Sequence, residues 1–522
     1  MSLLRAVATV SGYTMISRIT GFARDILIAS ILGTGPVADA FFIAFKFPNF
    51  FRRLTAEGAL TVAFVPIFSR LLQTKGRDAD LEFAEQVMSI MGISLFLFSF
   101  SVIIFMPTVM LGLAPGFAEQ EWLFDLTVDL ARITFIYLPP ISLVALLGGI
   151  LNSFGKFGAM ASAPILLNII LIISLVLFEN SMETKGHVLA IAVAISGLAQ
   201  FIWLLEACRK NGCIPKLRRP RLNRQIIKLF KLMLPAAIGA GVVQINLLID
   251  IILASTLSSG SISFLYFADR VNQLPLAIIG IAIGTALLPK LSREIQDGET
   301  HKAQKSQDYA LEFGMILALP ATIGLLVLSE LIIIALFARG AFSVTSVDAT
   351  AKALFYYALG LPAFVIIKVL QPSFFARYDT LTPVKIASSM VFVNLVLNII
   401  LMQYLEHAGL ALATSISAWL NALLIGLILK RKRFHKPGKK TFIKIFKTFL
   451  ASTVMGLGLL GILEFIDESI FSSGILSVAT LVTLVVIGLI LYIILVFLFR
   501  VIRISELNKE VKSWIENDQK KF

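Results

Sequence analysis

SRITGFARDILIASILGTGPVADAFFIAFKFPNFFRRLTAEG, residues 17–58, is apolar enough to lie in a membrane. It nevertheless carries Arg18, Arg24, Asp25, Asp39, Lys46, Arg52, Arg53 and Glu57. An isolated charge at mid-bilayer costs several kcal/mol, so a chain keeps such residues where they face water, a partner or a substrate. The chain is basic, with 46 Lys and Arg against 32 Asp and Glu, and the first expectation for that substrate is an anion.

The surrounding sequence sets the class. Of 522 residues, 57% are hydrophobic and 15% charged, where a soluble domain carries about 25% charged residues. Apolar runs of about 20 residues imply membrane-spanning helices, not the alternating strands of a barrel. The fold expected is an all-α polytopic membrane protein of about fourteen transmembrane helices. The segments read as 3–31, 37–71, 83–112, 123–151, 160–178, 187–207, 226–256, 261–290, 309–338, 350–375, 383–405, 408–430, 442–465 and 471–502. No cleavable signal peptide is expected, because the N-terminus runs straight into a full-length span.

Loop charge orients these spans. The basic residues gather after spans two, four, six, eight, ten and twelve, most densely in residues 209–224 and in KRKRFHKPGKK, residues 430–440. The alternate loops hold only Lys185 and Arg339. The positive-inside rule then places both termini in the cytoplasm. The same rule, with anionic headgroups, accounts for the net charge of +14 and leaves no need for nucleic acid as a partner. Cys208 and Cys213 lie in this cytosolic region without neighbouring ligands and read as free thiols.

An internal repeat divides the chain. VPIFSRLLQ at 65–73 and LPKLSREIQ at 288–296 align Pro66, Ser69, Arg70 and Gln73 with Pro289, Ser292, Arg293 and Gln296, all 223 residues apart; Pro139 and Pro362 share that spacing. Two parallel six-helix halves around a central cavity are expected, with two extra C-terminal helices. The domains read as an N-terminal lobe (1–207), a basic linker (208–225), a C-terminal lobe (226–430), a basic loop (431–441), two added helices (442–502) and a cytoplasmic tail (503–522).

Arg18 and Arg24 lie too deep in span 1 to be simple anchors at its ends. Arg24 and Asp25 point about 100° apart on a helix and need not pair. Arg52 follows Pro48 and Asn49, a sequence expected to interrupt the helix and open polar backbone to a cavity. Asp269 and Arg270 also precede a proline within a span. Arg24, Arg52 and Arg270 are expected to converge on one cavity, because a guanidinium fork donates two parallel hydrogen bonds to phosphate and does not titrate. The competing reading makes these arginines packing partners of Asp25, Asp39, Glu57 and Asp269. Asp250, Asn394, Asn398 and Thr414 offer the oxygen ligands of an Na⁺ or proton site, or interhelical hydrogen bonds; both readings stay open.

No catalytic constellation stands out. His187, His301, His407 and His435 are far apart in sequence, and no P-loop or metal-protease motif is present. A transporter, not an enzyme, is expected, without a cofactor and driven by a gradient such as that of Na⁺, the membrane potential or downstream consumption.

SRITGFARD, ADAFFIAFKFPNFFRRLTAEGAL, APGF, YFADRVNQLP and LTPVKIA together resemble the MurJ (MviN) family, lipid II flippases of the multidrug/oligosaccharidyl-lipid/polysaccharide exporter superfamily. The resemblance is collinear from residue 1 to about 430. It implies alternating-access transport of undecaprenyl-pyrophosphate-linked disaccharide-pentapeptide, from the inner to the outer leaflet of the bacterial cytoplasmic membrane. It implies that Arg18, Arg24, Arg52 and Arg270 are essential cavity arginines and that Asp39 is a conserved acid; with Asp25, Asn49 and Asp269 from the residue reading, these form the expected substrate-binding set. An Na⁺ site on Asp250, Asn394, Asn398 and Thr414 is implied by some relatives, and here Asn398 stands where others have Asp. Gln273 stands where some members carry Glu. Lipid II, membrane lipids and cell-wall synthesis proteins are the partners implied. The rival readings are a cation-coupled multidrug exporter, which the arginine excess argues against, a polyprenyl-phosphate enzyme, and a scaffold.

Overall fold

The computed structural model describes residues 3–54, 60–75, 77–216, 218–221, 223–466 and 474–502. Glu57 and the 503–522 tail therefore lie outside the described residues. Among those described there are helices and no strands, as hydrocarbon requires of a spanning chain that must satisfy its own backbone. The helices are α1 (Leu3–Leu32), α2 (Pro36–Phe51), α3 (Thr61–Lys75), α4 (Arg77–Ile104), α5 (Met106–Leu113), α6 (Glu121–Phe135), α7 (Leu138–Ser153), α8 (Gly158–Phe178) and α9 (Lys185–Lys210). They continue as α10 (Arg224–Ser255), α11 (Ser261–Gln296), α12 (Thr300–Val327), α13 (Ser329–Phe337), α14 (Val344–Leu370), α15 (Pro372–Phe375), α16 (Leu381–Arg431), α17 (Lys439–Leu463) and α18 (Gly474–Leu498).

Among the described residues nine helical stretches are long and apolar enough to cross a bilayer. One of them, α16, contains Glu406 at φ 50° and ψ −132°, so two helices meet there. A Cβ on the nearby Gly409 would run into the Leu401 carbonyl, which leaves glycine as the residue for this bend. The expected spans that fall outside these nine stretches belong to α1, α2–α3, α10 and α11. In α1 and α11 the apolar run is broken by charges such as Arg24, Asp25, Asp269 and Arg270.

Helix boundaries repeat along the chain. Helices begin at Arg77, Met106, Glu121 and Gly158, and again at Thr300, Ser329, Val344 and Leu381; each pair is 223 residues apart, as 300 is from 77. This is the spacing found in the sequence motifs. Pro139 stands at the start of α7, after a break in the helix, whereas its counterpart Pro362 is carried inside α14.

Packing divides the chain into two compact units, Met1–Phe267 with Arg339–Ser346, and Ala268–Ala338 with Val347–Phe522. In the first, Phe41, Phe42, Phe64, Phe68, Phe83, Phe135 and Tyr137 are fully buried. The 339–346 segment belongs to this unit because it crosses the end of α1. The Ala341 N–H donates to the Ser30 carbonyl at 2.7 Å. Gly33 (φ 71°) and Gly340 (φ 59°) permit the approach, since a Cβ on either would strike backbone across the contact.

The basic linker is also tied down in this unit. Backbone N–H groups of Lys216, Arg218 and Arg221 donate to Glu85 Oε1 (3.0 Å), Ser89 Oγ (3.1 Å) and Gln86 Oε1 (2.8 Å) on α4. The Arg218 side chain adds ion pairs to Glu85 (2.7 Å) and Glu82 (3.1 Å). Cys208 and Cys213, beside this strap, are buried and form no disulfide.

The second unit has its own core, including Ile283, Met315, Val365, Val369, Phe374, Ile425 and Leu429. Helix α17 packs along α12, and α18 along α17 and α13. Its loop joins are hydrogen-bonded. The His435 ring meets Asp308 Oδ1 at 2.8 Å, Thr441 donates to Glu312 at 2.7 Å, and Lys432 bonds Asp379 at 2.5 Å.

Candidate substrate-binding site

The described charges of residues 17–54 fall on α1, α2 and the chain just beyond it, all in the first unit. Arg24 is 6% exposed and Asp25 2%. The two neighbours, which helical geometry does not oblige to pair, do pair, as the competing reading has it for Asp25. Arg24 Nε and Nη2 donate to Asp25 Oδ1 at 3.0 and 2.7 Å. The physical reason is burial. The long arginine side chain can curl back to a carboxylate one residue away, and a lone charge inside a span is far costlier than a bent rotamer.

Two residues missed in the sequence complete this cluster. Asn168 of α8, 4% exposed, accepts from Arg24 Nη1 at 2.9 Å. The Tyr266 hydroxyl, at the start of α11, donates to Asp25 Oδ1 at 3.0 Å and lies 3.5 Å from Arg24 Nη2. The Tyr266 ring stacks on Phe42 with centroids 3.9 Å apart, and Lys46 Nζ lies 5.7 Å from its centre. Asn168 sits in SAPILLNIIL, where one polar residue in an apolar run was the available signal.

Asp39 is held differently. Its carboxylate accepts from the Gly260 N–H (2.6 Å), the Ser263 N–H (2.8 Å) and the Ser263 hydroxyl (2.5 Å). Gly260 precedes α11 and Ser263 is its third residue. Asp39 thus satisfies, from another helix, the two N–H groups that a capping box satisfies within one, and its charge meets the positive end of the α11 dipole.

The break expected at Pro48 does not occur there. Helix α2 continues through Pro48 to Phe51. Proline supplies no N–H to the Ala44 carbonyl, and the Thr134 hydroxyl donates to that carbonyl at 2.7 Å instead. Asn49 donates to the Phe45 carbonyl at 2.8 Å and accepts from Arg52 Nε at 3.0 Å. Arg52 is half-buried, while Arg18 is exposed.

In the second unit Arg270 is half-buried, and Gln273 donates to Asp269, one turn away. The ion-site candidates divide. Asp250 belongs to the first unit, where Asn246 lies 3.5 Å from its carboxylate. Asn394 and Asn398, 2% and 0% exposed, belong to the second, joined by a 3.0 Å hydrogen bond from Asn398 to Asn394. The amide nitrogen of Asn394 and the Thr414 hydroxyl are buried without a hydrogen-bond partner. This donor set, amide and hydroxyl oxygens on adjoining stretches of α16, is of the kind that suits a hard cation. No cluster of three or more His, Cys, Asp or Glu occurs among the described residues.

Comparison with known proteins decides between a transporter and its rivals. The family model for lipid II flippase MurJ matches residues 28–482. The chain belongs to the MurJ family. Among MurJ relatives, a probable lipid II flippase MurJ of Rhizobium meliloti (strain 1021) is 41% identical over 485 residues, 92% of this chain and 90% of that one. The lipid II flippase MurJ of Burkholderia cenocepacia is 34% identical over 468 residues, 88% of this chain and 90% of its own length. A solved lipid II flippase MurJ in an inward closed conformation is 27% identical, with a TM-score of 0.80 over 94% of this chain and 98% of that one. An inward-facing multidrug resistance MATE transporter is 16% identical with a TM-score of 0.67, over 82% of this chain and 98% of that one, and shares the fold. MurJ membership makes the chain a membrane transporter and not an enzyme.

Proposed function

We infer that this protein is a lipid II flippase, moving the polyprenyl-pyrophosphate-linked peptidoglycan precursor from the inner to the outer leaflet of the bacterial cytoplasmic membrane. The observation that carries the reading is the buried Arg24–Asp25 pair in α1, set among Asn168 and Tyr266. A diphosphate is the group hardest to move through hydrocarbon. A guanidinium paired at rest with a carboxylate can exchange that partner for phosphate oxygens without ever standing unpaired.

Headgroup binding is assigned to Arg18, Arg24, Arg52 and Arg270, with Asn49 orienting Arg52. Asp25 and Asp269 serve as resting counter-ions, and Asp39 holds the α11 terminus. The two six-helix lobes, 1–207 and 226–430, are taken to alternate access, with both termini in the cytoplasm. The membrane potential, worth about 2.3 kcal/mol per charge per 100 mV, or an Na⁺ gradient read by Asp250, Asn394, Asn398 and Thr414, supplies the drive. Cell-wall synthesis proteins are the partners that would consume the flipped lipid.

The test is complementation in a bacterium depleted of its own lipid II flippase. The wild type should rescue growth, and Arg24→Ala and Arg270→Ala should fail although inserted equally. Growth on both variants would remove these arginines from the transport step. Failure of the wild type itself would overturn the flippase reading.

A further inference from the structure

We propose that Asn168 is a positioning residue that fixes Arg24 for the substrate's phosphates; this rests on the reading that Arg24 binds them. Both ends of the Asn168 amide are committed. Its Nδ2 donates to the Ser17 carbonyl at 3.0 Å and to Thr20 Oγ1 at 3.1 Å, both on α1. The Thr20 hydroxyl donates to the Ile16 carbonyl at 2.9 Å, so its lone pairs are free to accept. A backbone carbonyl only accepts, so the Ser17 contact fixes which way the amide faces. Its Oδ1 is thereby turned to Arg24 Nη1, at 2.9 Å.

Asn168 therefore ties the guanidinium to the α1 backbone a turn or two before it, through a side chain on α8. Asp25 holds the opposite edge, through Nε and Nη2. The two partners differ in kind. Asp25 competes with phosphate for the guanidinium by charge, whereas the neutral Asn168 orients it and leaves its charge available. Gly21 lets the two helices approach, since a Cβ there would lie 3.3 Å from Asn168 Nδ2 and push the amide.

The test uses the full chain in nanodiscs with undecaprenyl diphosphate as probe. Asn168→Leu should weaken the Kd about tenfold, the loss of one hydrogen bond to a charged group. Asn168→Gln should recover part of that loss, and Gly21→Ala should weaken binding in the same direction. In an Arg24→Ala background, Asn168→Leu should change the Kd no further. A second readout needs no substrate. Phenylglyoxal modification of Arg24, followed by mass spectrometry against Arg52 in the same molecules, should speed up several-fold in Asn168→Leu and Gly21→Ala.

An unchanged Kd with unchanged Arg24 reactivity, or a full tenfold loss persisting without Arg24, would overturn the proposal. If Asn168→Leu does not fold, Asn168→Gln and Gly21→Ala decide by the same two readouts. Wild-type protein that ignores the probe would overturn the substrate reading, and the modification rates would then decide the Asn168–Arg24 link separately.

Discussion

At the residue scale, charges in the membrane are tolerated by being answered locally. Arg24 is answered by Asp25 and Asn168, and Asp39 by two backbone N–H groups and a hydroxyl at the head of α11. Asp39→Ala should leave the Gly260 and Ser263 N–H groups buried and unpaired. The expected cost is roughly 1–3 kcal/mol, seen as a lower melting temperature in detergent, with Asp39→Asn intermediate. An unaltered melting temperature would mean that water replaces the carboxylate. These residues were legible as anomalies, since charges in an apolar run draw attention. Their partners were less so. Nothing in the order of residues says that the carboxylate at 39 reaches residues 260 and 263, and a lone asparagine at 168 reads as an ordinary interhelical contact. The pairing of Arg24 with Asp25 stayed open because helical geometry gives the direction of a Cβ, while a long side chain can turn back on itself.

At the scale of elements, two basic connections are held by specific bonds. The strap formed at Lys216, Arg218 and Arg221 hangs on Glu85, Gln86 and Ser89. Glu85→Ala should release it, and trypsin should then cut at Arg218 to Arg224 several-fold faster than in the wild type. Equal cleavage would show that Pro215 and Pro220 hold the strap unaided. In the second unit, burial pushes the His435 imidazole below its ordinary value near 6.5, against the opposing hydrogen bond to Asp308, while Arg377 adds to the depression. The folded protein then binds fewer protons at His435 than the unfolded chain. Its contribution to stability is therefore whole above about pH 6.5 and falls as the pH drops below it. Between pH 7 and 5 the melting temperature should fall, and His435→Gln should flatten that fall. Asp379, held near 2 by Lys432 and Thr382, contributes above its ordinary value of 3.8 and loses that contribution only as the pH falls toward 2. It should add no slope in the same window. The strap escaped the sequence reading because loop arginines are explained by topology alone. The bonds here come largely from backbone N–H groups, which carry no sequence signature.

At the scale of the molecule, the repeat was the most legible feature. A 223-residue offset in a few prolines, serines and arginines recurs in the starting residues of four helices in each half. The hydrophobic periodicity and the bilayer thickness explain why spans could be counted from the chain. Side-chain partnerships, which decide the site, could not be, because they join segments 144 to 242 residues apart. Membership of the MurJ family turns the cationic positions into a transport hypothesis with a defined cargo.

The most direct measurement is flipping itself. The purified chain would be reconstituted into proteoliposomes with lipid II, and the fraction of lipid II reached by an impermeant reagent from outside would be followed over time. Wild-type protein should carry the inner-leaflet pool outward, and Arg24→Ala, equally reconstituted, should leave the rate at that of protein-free vesicles. Outward movement at the wild-type rate in Arg24→Ala, or none with the wild type under an imposed membrane potential or Na⁺ gradient, would contradict the account.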